Sequence, residues 1–333
     1  MSQQPFESIL SEPIEKLIKL RQCSGSDYTS QIQLLHYFDR FLVQQRYDKT
    51  ILDAAIISVY EESMVHINVR SRANRLCVVR QLCQQLYLVD TRCFIPPPSR
   101  DSSSQNSFSP YLYSTDDIND LLEAALRLPP VSSLRGATMH TLLGLLYSTG
   151  IRIGEALALN LEDFYPDTKR LYIARGKFHK ARWVPLSPST SEALNQYVAR
   201  RRKVEPSSPA STFFINLRHR RFHHCTISQA FNALLKQCQI TGNGCKPRLH
   251  DLRHTFAVER LLGWYQDGKD INTRLSWLST YLGHINPLAT VVYLHPTAQL
   301  MKQVNERFHR HYQKHLKHTN PPTPHHHNEG GPL

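Results

Sequence analysis

Apolar residues recur at Ile32, Leu34, Leu35, Phe38, Phe41 and Leu42, a spacing that places them on one face of a helix over Tyr28–Val43. The pattern repeats over Ile51–His66, and again over Arg70–Leu88 with Leu76, Val79, Leu82, Leu86 and Tyr87 facing inward. The other face of this third helix carries Arg70, Arg72, Arg75 and Arg80, and no acidic residue lies between Arg70 and Leu88 to balance them. Periodicity stops at 94–110, FIPPPSRDSSSQNSFSP. Consecutive prolines and a Ser/Asn/Gln run neither continue a helix nor build a core, so this stretch reads as an extended linker.

Beyond it, Thr115 is the expected N-cap of a new helix, with Asp116 and Asp117 suited to the helix dipole in its first turn. Thr138–Ser148 is apolar and helical up to Gly150, and Gly154-Glu155 leads into a short helix over Ala156–Leu159. The period then drops to two: Arg170–Ala174 and Ala181–Pro185 read as strands around a turn, Arg175–Lys180. Helices return at Ser189–Arg202, Thr226–Gln239, His254–Trp264, Arg274–Leu282 and Thr297–Leu316, and the Pro/Gly/His-rich end reads as disordered. The expected architecture is mainly α with a small β-sheet (α+β). A helical domain over 1–93 is followed by a linker over 94–110, a second domain over 111–316 and a tail over 317–333.

Composition narrows the function. No uncharged apolar run reaches the roughly 18 residues of a membrane span, and Met1–Leu20 is mixed and acidic, unlike a secretory signal. The formal net charge is +13, with Lys and Arg spread through both halves. That surplus points to a polyanion; a membrane surface would favour one polybasic amphipathic helix, so nucleic acid is the expected partner. Seven cysteines, an odd number with no CxxC, point to free thiols in a reducing cytoplasm. His219–Cys225, HRRFHHC, raises zinc, but its spacing fits no common site and arginines interrupt it; it reads as a DNA-facing basic loop.

Six residues can together cut and rejoin a DNA strand: Arg152, Lys177, His250, Arg253, His284 and Tyr293. A phenol attacks phosphorus once its proton is removed and the phosphate charge is neutralised. Tyr293 suits that role because LGH precedes it and TVVY ends on it. In His250-Asp-Leu-Arg-His-Thr-Phe-Ala257 a helix start would put His250 and Arg253 on one face, and a guanidinium can hold two phosphate oxygens. Arg152 lies in a helix–glycine turn–helix segment that can aim it into a cleft, with Glu155 placed to orient it or a histidine. Lys177 sits at a hairpin tip, from which an ammonium can protonate a leaving oxygen. Lys180 and Arg182 on the same hairpin, with Arg70, Arg72, Arg75 and Arg80, are the further DNA-binding candidates. No acidic cluster suited to Mg²⁺ and no P-loop accompanies these motifs, so no metal or cofactor is expected, and side chains must carry the charge that metals carry in many nucleases.

The segments TGIRIGEAL, RGKFHKARWVPL, HDLRHTFA, LGH and TVVYLH resemble the catalytic domain of tyrosine site-specific recombinases, the phage-integrase family, over roughly residues 111–315. The first domain is similar to that family's helical core-binding domain in size, helicity and position. The resemblance implies that Tyr293 forms a 3′-phosphotyrosyl link and that Lys177 is the general acid toward the leaving 5′ oxygen. Arg152, Arg253 and His284 would stabilise the transition state, and His250 would move the tyrosine proton. It also implies double-stranded DNA at a specific site as partner, and a homotetramer, or a heterotetramer with a sister recombinase, acting through a Holliday junction. The helix Thr297–Leu316 would dock on a neighbour. A mobile-element enzyme is the first expectation and a chromosome-dimer resolvase the second. Two positions depart from the usual pattern: Phe178 follows Lys177 where glycine is common, which makes Lys180 the substitute acid, and Ala289-Thr290 stands where Thr-Thr is common. The rival readings are a type IB topoisomerase, against which the small helical domain and the LRHTFA form argue, and a catalytically silent DNA-binding accessory protein.

Overall fold

The computed structural model describes residues 5–98, 110–131, 133–174, 181–204, 211–242 and 245–283. The turn Arg175–Lys180, the helix expected at Thr297–Leu316 and the tail lie outside them. The chain divides into two units, Met1–Ser109 and Pro110–Leu333. Among the described residues there are eleven α-helices and one three-stranded sheet, the mainly helical α+β architecture expected.

The first unit holds α1 (Ser11–Cys23), α2 (Thr29–Gln44), α3 (Ala54–Ser63) and α4 (Val69–Tyr87). Each gives one apolar stripe to a common core that includes Ile14, Leu17, Leu35, Phe38, Leu42, Ile57, Val79 and Leu82. Helix α1 has no counterpart among the expected elements: only Ile14 and Leu17 of that helix are buried, a stripe too thin to register as a period. Asp53 and Asn68 cap α3 and α4 by accepting from the backbone N–H of Ile56 at 2.9 Å and Ser71 at 2.8 Å. Buried Asp39 on α2 accepts from the backbone N–H groups of Glu7 (2.9 Å) and Ser8 (3.1 Å), which ties the entry of the chain to the bundle.

Two expectations change here. Tyr87 is 41% exposed, because Leu86 takes the core position and the next residue lies about 100° round the helix. The stretch read as linker from residue 94 begins as part of this unit: Phe94 N–H donates to the Leu52 carbonyl at 2.7 Å and Ile95 packs on the core.

The second unit holds α5 (Thr115–Leu126), α6 (Leu134–Thr149), α7 (Ile153–Ala158), β1 (Phe164–Tyr165), β2 (Arg170–Ile173), β3 (Arg182–Pro185), α8 (Pro188–Val204), α9 (His224–Gln237), α10 (Asp251–Gln266) and α11 (Ile271–Leu282). The N-cap of α5 is Ser114 rather than Thr115, in a reciprocal capping box with Asp117. Helix α6 is the hub. It packs against α5, α8 and α10, and Met139, Leu142, Leu143, Leu145 and Leu146 are all buried, so its apolar residues run round the helix rather than along one stripe. The sheet is antiparallel in the order β1-β2-β3, with Leu171 opposite Val184 and Ile173 opposite Arg182. Leu171, Ile173 and Val184 face the core while Tyr172 and Trp183 pack together on the outer face, ring centroids 4.9 Å apart.

Candidate active site

The site forms where α6, α7, α10, α11 and β3 meet. Helix α6 ends at Gly150, whose φ of +62° is the left-handed conformation glycine adopts freely. A Cβ at Gly150 would run into the ring of Phe256. The chain then turns through Ile151 and Arg152 into α7, where Glu155 accepts from the Arg152 backbone N–H at 3.0 Å.

Glu155 is buried and shared by two guanidinium groups. Its Oε1 accepts from Arg152 Nη1 at 2.9 Å and Arg182 Nη1 at 3.0 Å; its Oε2 accepts from Arg182 Nη2 at 2.8 Å. Burial alone would raise its pKa, but the hydrogen bonds and charge of Arg182, followed by those of Arg152, hold it below the usual carboxylate range.

The same arginines cap α11. Helix C-termini leave carbonyls without intrahelical donors and carry a partial negative charge. Arg182 Nε donates to Tyr281 O at 2.9 Å, Arg253 Nη2 to Leu282 O at 2.7 Å, and Arg152 Nη2 to Gly283 O at 3.2 Å. Arg152 Nη1 also reaches Leu282 O at 3.5 Å, so Arg152 and Arg253 converge on one carbonyl oxygen. Gly283 has a φ of +69°, and a Cβ there would meet Arg182 Nη1 at 3.0 Å.

Arg253 is buried at 3% exposure, and its Nη1 donates to Gly150 O at 2.8 Å. His250 is the N-cap residue of α10, so it and Arg253 share the first turn as the spacing predicts. The turn before α10 is braced by buried Asp251, which pairs with Arg248 at 3.1 Å, and by Tyr113, whose hydroxyl donates to Arg248 O at 3.0 Å. His250 is exposed, yet the atoms packed around its ring and then the charges of Arg253, Arg152 and Arg248 push its pKa down to about 4. It is therefore a neutral imidazole at physiological pH, able to accept a proton.

The structure thus brings Arg152, His250 and Arg253 together. Lys177, Lys180, His284 and Tyr293 lie outside the described residues, with His284 following directly on the capped end of α11. Arg182, expected among the DNA-facing residues, has its guanidinium turned inward onto Glu155 and Tyr281. Strand alternation carries the signal for that orientation: Arg182 shares a face with buried Val184, so it needed an internal carboxylate. In the loop read from HRRFHHC, Arg221 also turns inward, to the carbonyls of Leu157 and Leu159 and to Asn160 Oδ1 at 2.7 Å. Arg218, His219 and Arg220 are exposed there.

In the first unit, Arg70 is exposed and Arg72 and Arg75 are half-buried. Arg75 lies 4.3 Å from the Tyr37 ring centroid, with Arg40 at 5.0 Å. Arg80 donates through Nε to Pro96 O at 2.8 Å, which anchors the chain after α4. Among the described residues no group of three His, Cys, Asp or Glu side chains can hold a metal, and no helix is long and apolar enough to cross a membrane.

Comparison with known proteins gives concordant matches. The model of the phage integrase family matches residues 113–300. A Sinorhizobium fredii protein named as an integrase/recombinase, y4rB, is 38% identical over 247 residues, 72% of this chain and 79% of that protein. A second from the same organism, y4rE, is 31% identical over 302 residues, 91% of this chain and 96% of that protein. Tyrosine recombinase XerC of Chlamydia caviae is 31% identical over 190 residues, 57% of each chain. Among solved structures, the Tn1549 transposon integrase in complex with transposon right-end DNA superposes with a TM-score of 0.62 at 16% identity, covering 89% of this chain and 98% of that one. XerH recombinase bound to its difH substrate gives a TM-score of 0.58 at 19% identity, covering 88% and 83%.

Proposed function

Because the chain belongs to the phage integrase family, a family of tyrosine recombinases that break and rejoin DNA, we propose that it is a site-specific DNA recombinase serving a mobile element in the cytoplasm. The observation that carries this reading is the convergence of Arg152 and Arg253 on the Leu282 carbonyl, beside a neutral His250 and just ahead of His284.

Guanidinium groups held in this way present fixed positive charge to a phosphodiester, so no reorganisation is needed when charge builds up on its oxygens. In the cleavage step the Tyr293 oxygen attacks phosphorus and its proton passes to His250. A P–O bond to Tyr293 forms, and the bond to the 5′ oxygen breaks. The leaving oxygen takes a proton from Lys177, or from Lys180 if Phe178 alters the reach of the hairpin. Arg152, Arg253 and His284 hold the negative charge of the transition state. The 5′-hydroxyl of a partner strand then reverses the step, releasing Tyr293, so the bond energy is conserved without ATP or metal. Strand exchange through a Holliday junction calls for four protomers, all of this chain or shared with a sister recombinase. Exposed Arg70 and its neighbours on α4, with Lys180 and the 218–220 loop, are the candidate contacts to the duplex backbone.

Covalent trapping tests the reading. Nicked suicide duplexes spanning the DNA that flanks the gene are incubated in EDTA with wild type and with Tyr293→Phe, then run on a denaturing gel. A protein–DNA adduct in the wild type alone is expected. An adduct that persists in Tyr293→Phe sinks the assignment. If both proteins bind the duplex and neither forms an adduct even with a sister recombinase added, the chain is a silent binding protein.

A further inference from the structure

We propose that Arg182 is a positioning residue for strand cleavage: acting through Glu155, it keeps Arg152 free to hold the scissile phosphate. The inference rests on the recombinase reading and adds a residue to it.

Glu155 has four lone-pair sites, and four donors fill them: Arg152 N and Nη1, and Arg182 Nη1 and Nη2. Arg182 holds the carboxylate with two prongs, at 3.0 and 2.8 Å, the planar match a guanidinium makes best. Arg152 contributes a single side-chain N–H to it, and its Nη2 points instead to Gly283 O. Two guanidinium groups on one carboxylate leave the trio with one surplus positive charge.

Removal of Arg182 changes both the charge and the geometry. Glu155 would then neutralise Arg152 completely. Its vacated lone pairs would draw Arg152 into a two-pronged pair, away from any phosphate oxygen. Glu155 is buried, so no water competes for those lone pairs as it would at a surface. Arg182 also fastens β3 to the end of α11 through Tyr281 O, and its guanidinium occupies the space beside Gly283 where another residue's Cβ would stand. The position is built rather than incidental: Arg182 lies opposite Ile173 on the core face of the sheet, where an arginine without a carboxylate would be costly.

The test uses the same suicide duplexes with two linkages at the scissile position, the natural phosphate and a methylphosphonate that lacks one anionic oxygen. Arg182→Met should bind the duplex within a few-fold of wild type yet form adduct about 100-fold more slowly on the phosphate, the scale of a misplaced catalytic group. On the methylphosphonate the deficit should shrink to a few-fold, because less charge is left for Arg152 to neutralise. Arg152→Ala/Arg182→Met should be no slower than Arg152→Ala alone, since both changes remove one function. Arg182→Lys, which keeps the charge but not the fork, should recover only part of the rate; it carries the linkage comparison if Arg182→Met does not fold. Wild-type cleavage by Arg182→Met, an equal deficit on both linkages, or losses that multiply in the double variant would each overturn the role. A Tyr293-dependent adduct without these Arg182 effects removes this inference alone. Absence of that adduct from wild type removes the recombinase reading and this inference with it.

Discussion

Arg253 Nη1 donates to the carbonyl oxygen of Gly150 at 2.8 Å across 103 positions of sequence. That bond makes the first turn of α10 and the exit of α6 one unit, and Arg152 starts from it two residues later. The turn is fixed on its other side by Phe256, a residue of the same helix as Arg253, whose ring fills the space beside Gly150.

Gly150→Ala should therefore cost stability and activity together. The left-handed backbone alone costs about 1–3 kcal/mol for a residue with a Cβ, and the Phe256 ring must move as well. Denaturant unfolding should show a lower midpoint, and adduct formation should fall by more than the unfolded fraction explains. An unchanged midpoint would mean that the turn is not held as described.

His250 should make the fold sensitive to mild acid. Its pKa is depressed from 6.5 to about 4, so between those values the unfolded chain binds the proton that the folded chain refuses. Its contribution is present above about pH 6.5 and is lost as pH falls toward about 4. The groups facing it are Arg253, Arg152 and Arg248, which are cationic throughout, and His254, whose ring centroid is 5.2 Å away. The melting temperature of wild type should fall relative to that of His250→Gln between pH 7.5 and pH 5. A constant gap across that range would contradict the depressed value.

Replacing Arg70, Arg72 and Arg75 together should weaken DNA binding and flatten its dependence on salt. Each phosphate contact removed should reduce the slope of log affinity against log salt by about one. Fluorescence anisotropy from 50 to 300 mM salt measures it, and an unchanged slope would return that face of α4 to solvent. Arg80 is left out of the set because its Nε bond to Pro96 gives it a structural task.

EDTA should leave adduct formation unaltered, because the arginines and histidines supply the charge that a divalent ion supplies elsewhere. Abolition by EDTA, restored by Mg²⁺, would indicate a metal nuclease.

Much of the second unit was legible because its motifs sit at element boundaries with strong local signals: Gly150 after an apolar helix, the two strands around 175–180, and the first turn of α10. Elements with little burial left no such trace. The two residues of β1, Phe164 and Tyr165, are too few to show a period, and α1 buries only two of its side chains. Charged residues were read less well than apolar ones. An arginine on a hairpin strand, such as Arg182, reads as a DNA contact when charge is the only criterion. Its alignment with Val184 on the core face held the opposite information, but using it requires a known partner, and Glu155 lies 27 positions away. Arg221 is obscured for a similar reason: two of its acceptors are the carbonyls of Leu157 and Leu159, which no side-chain motif announces, and the third, Asn160, lies 61 positions away.

The capped end of α11 bears on how such a chain can lose its activity. Arg152, Arg182 and Arg253 all terminate that helix, so a lineage released from selection for catalysis would still be penalised for discarding them. A descendant that only grips DNA would be expected to keep its arginines, since the end of α11 depends on them.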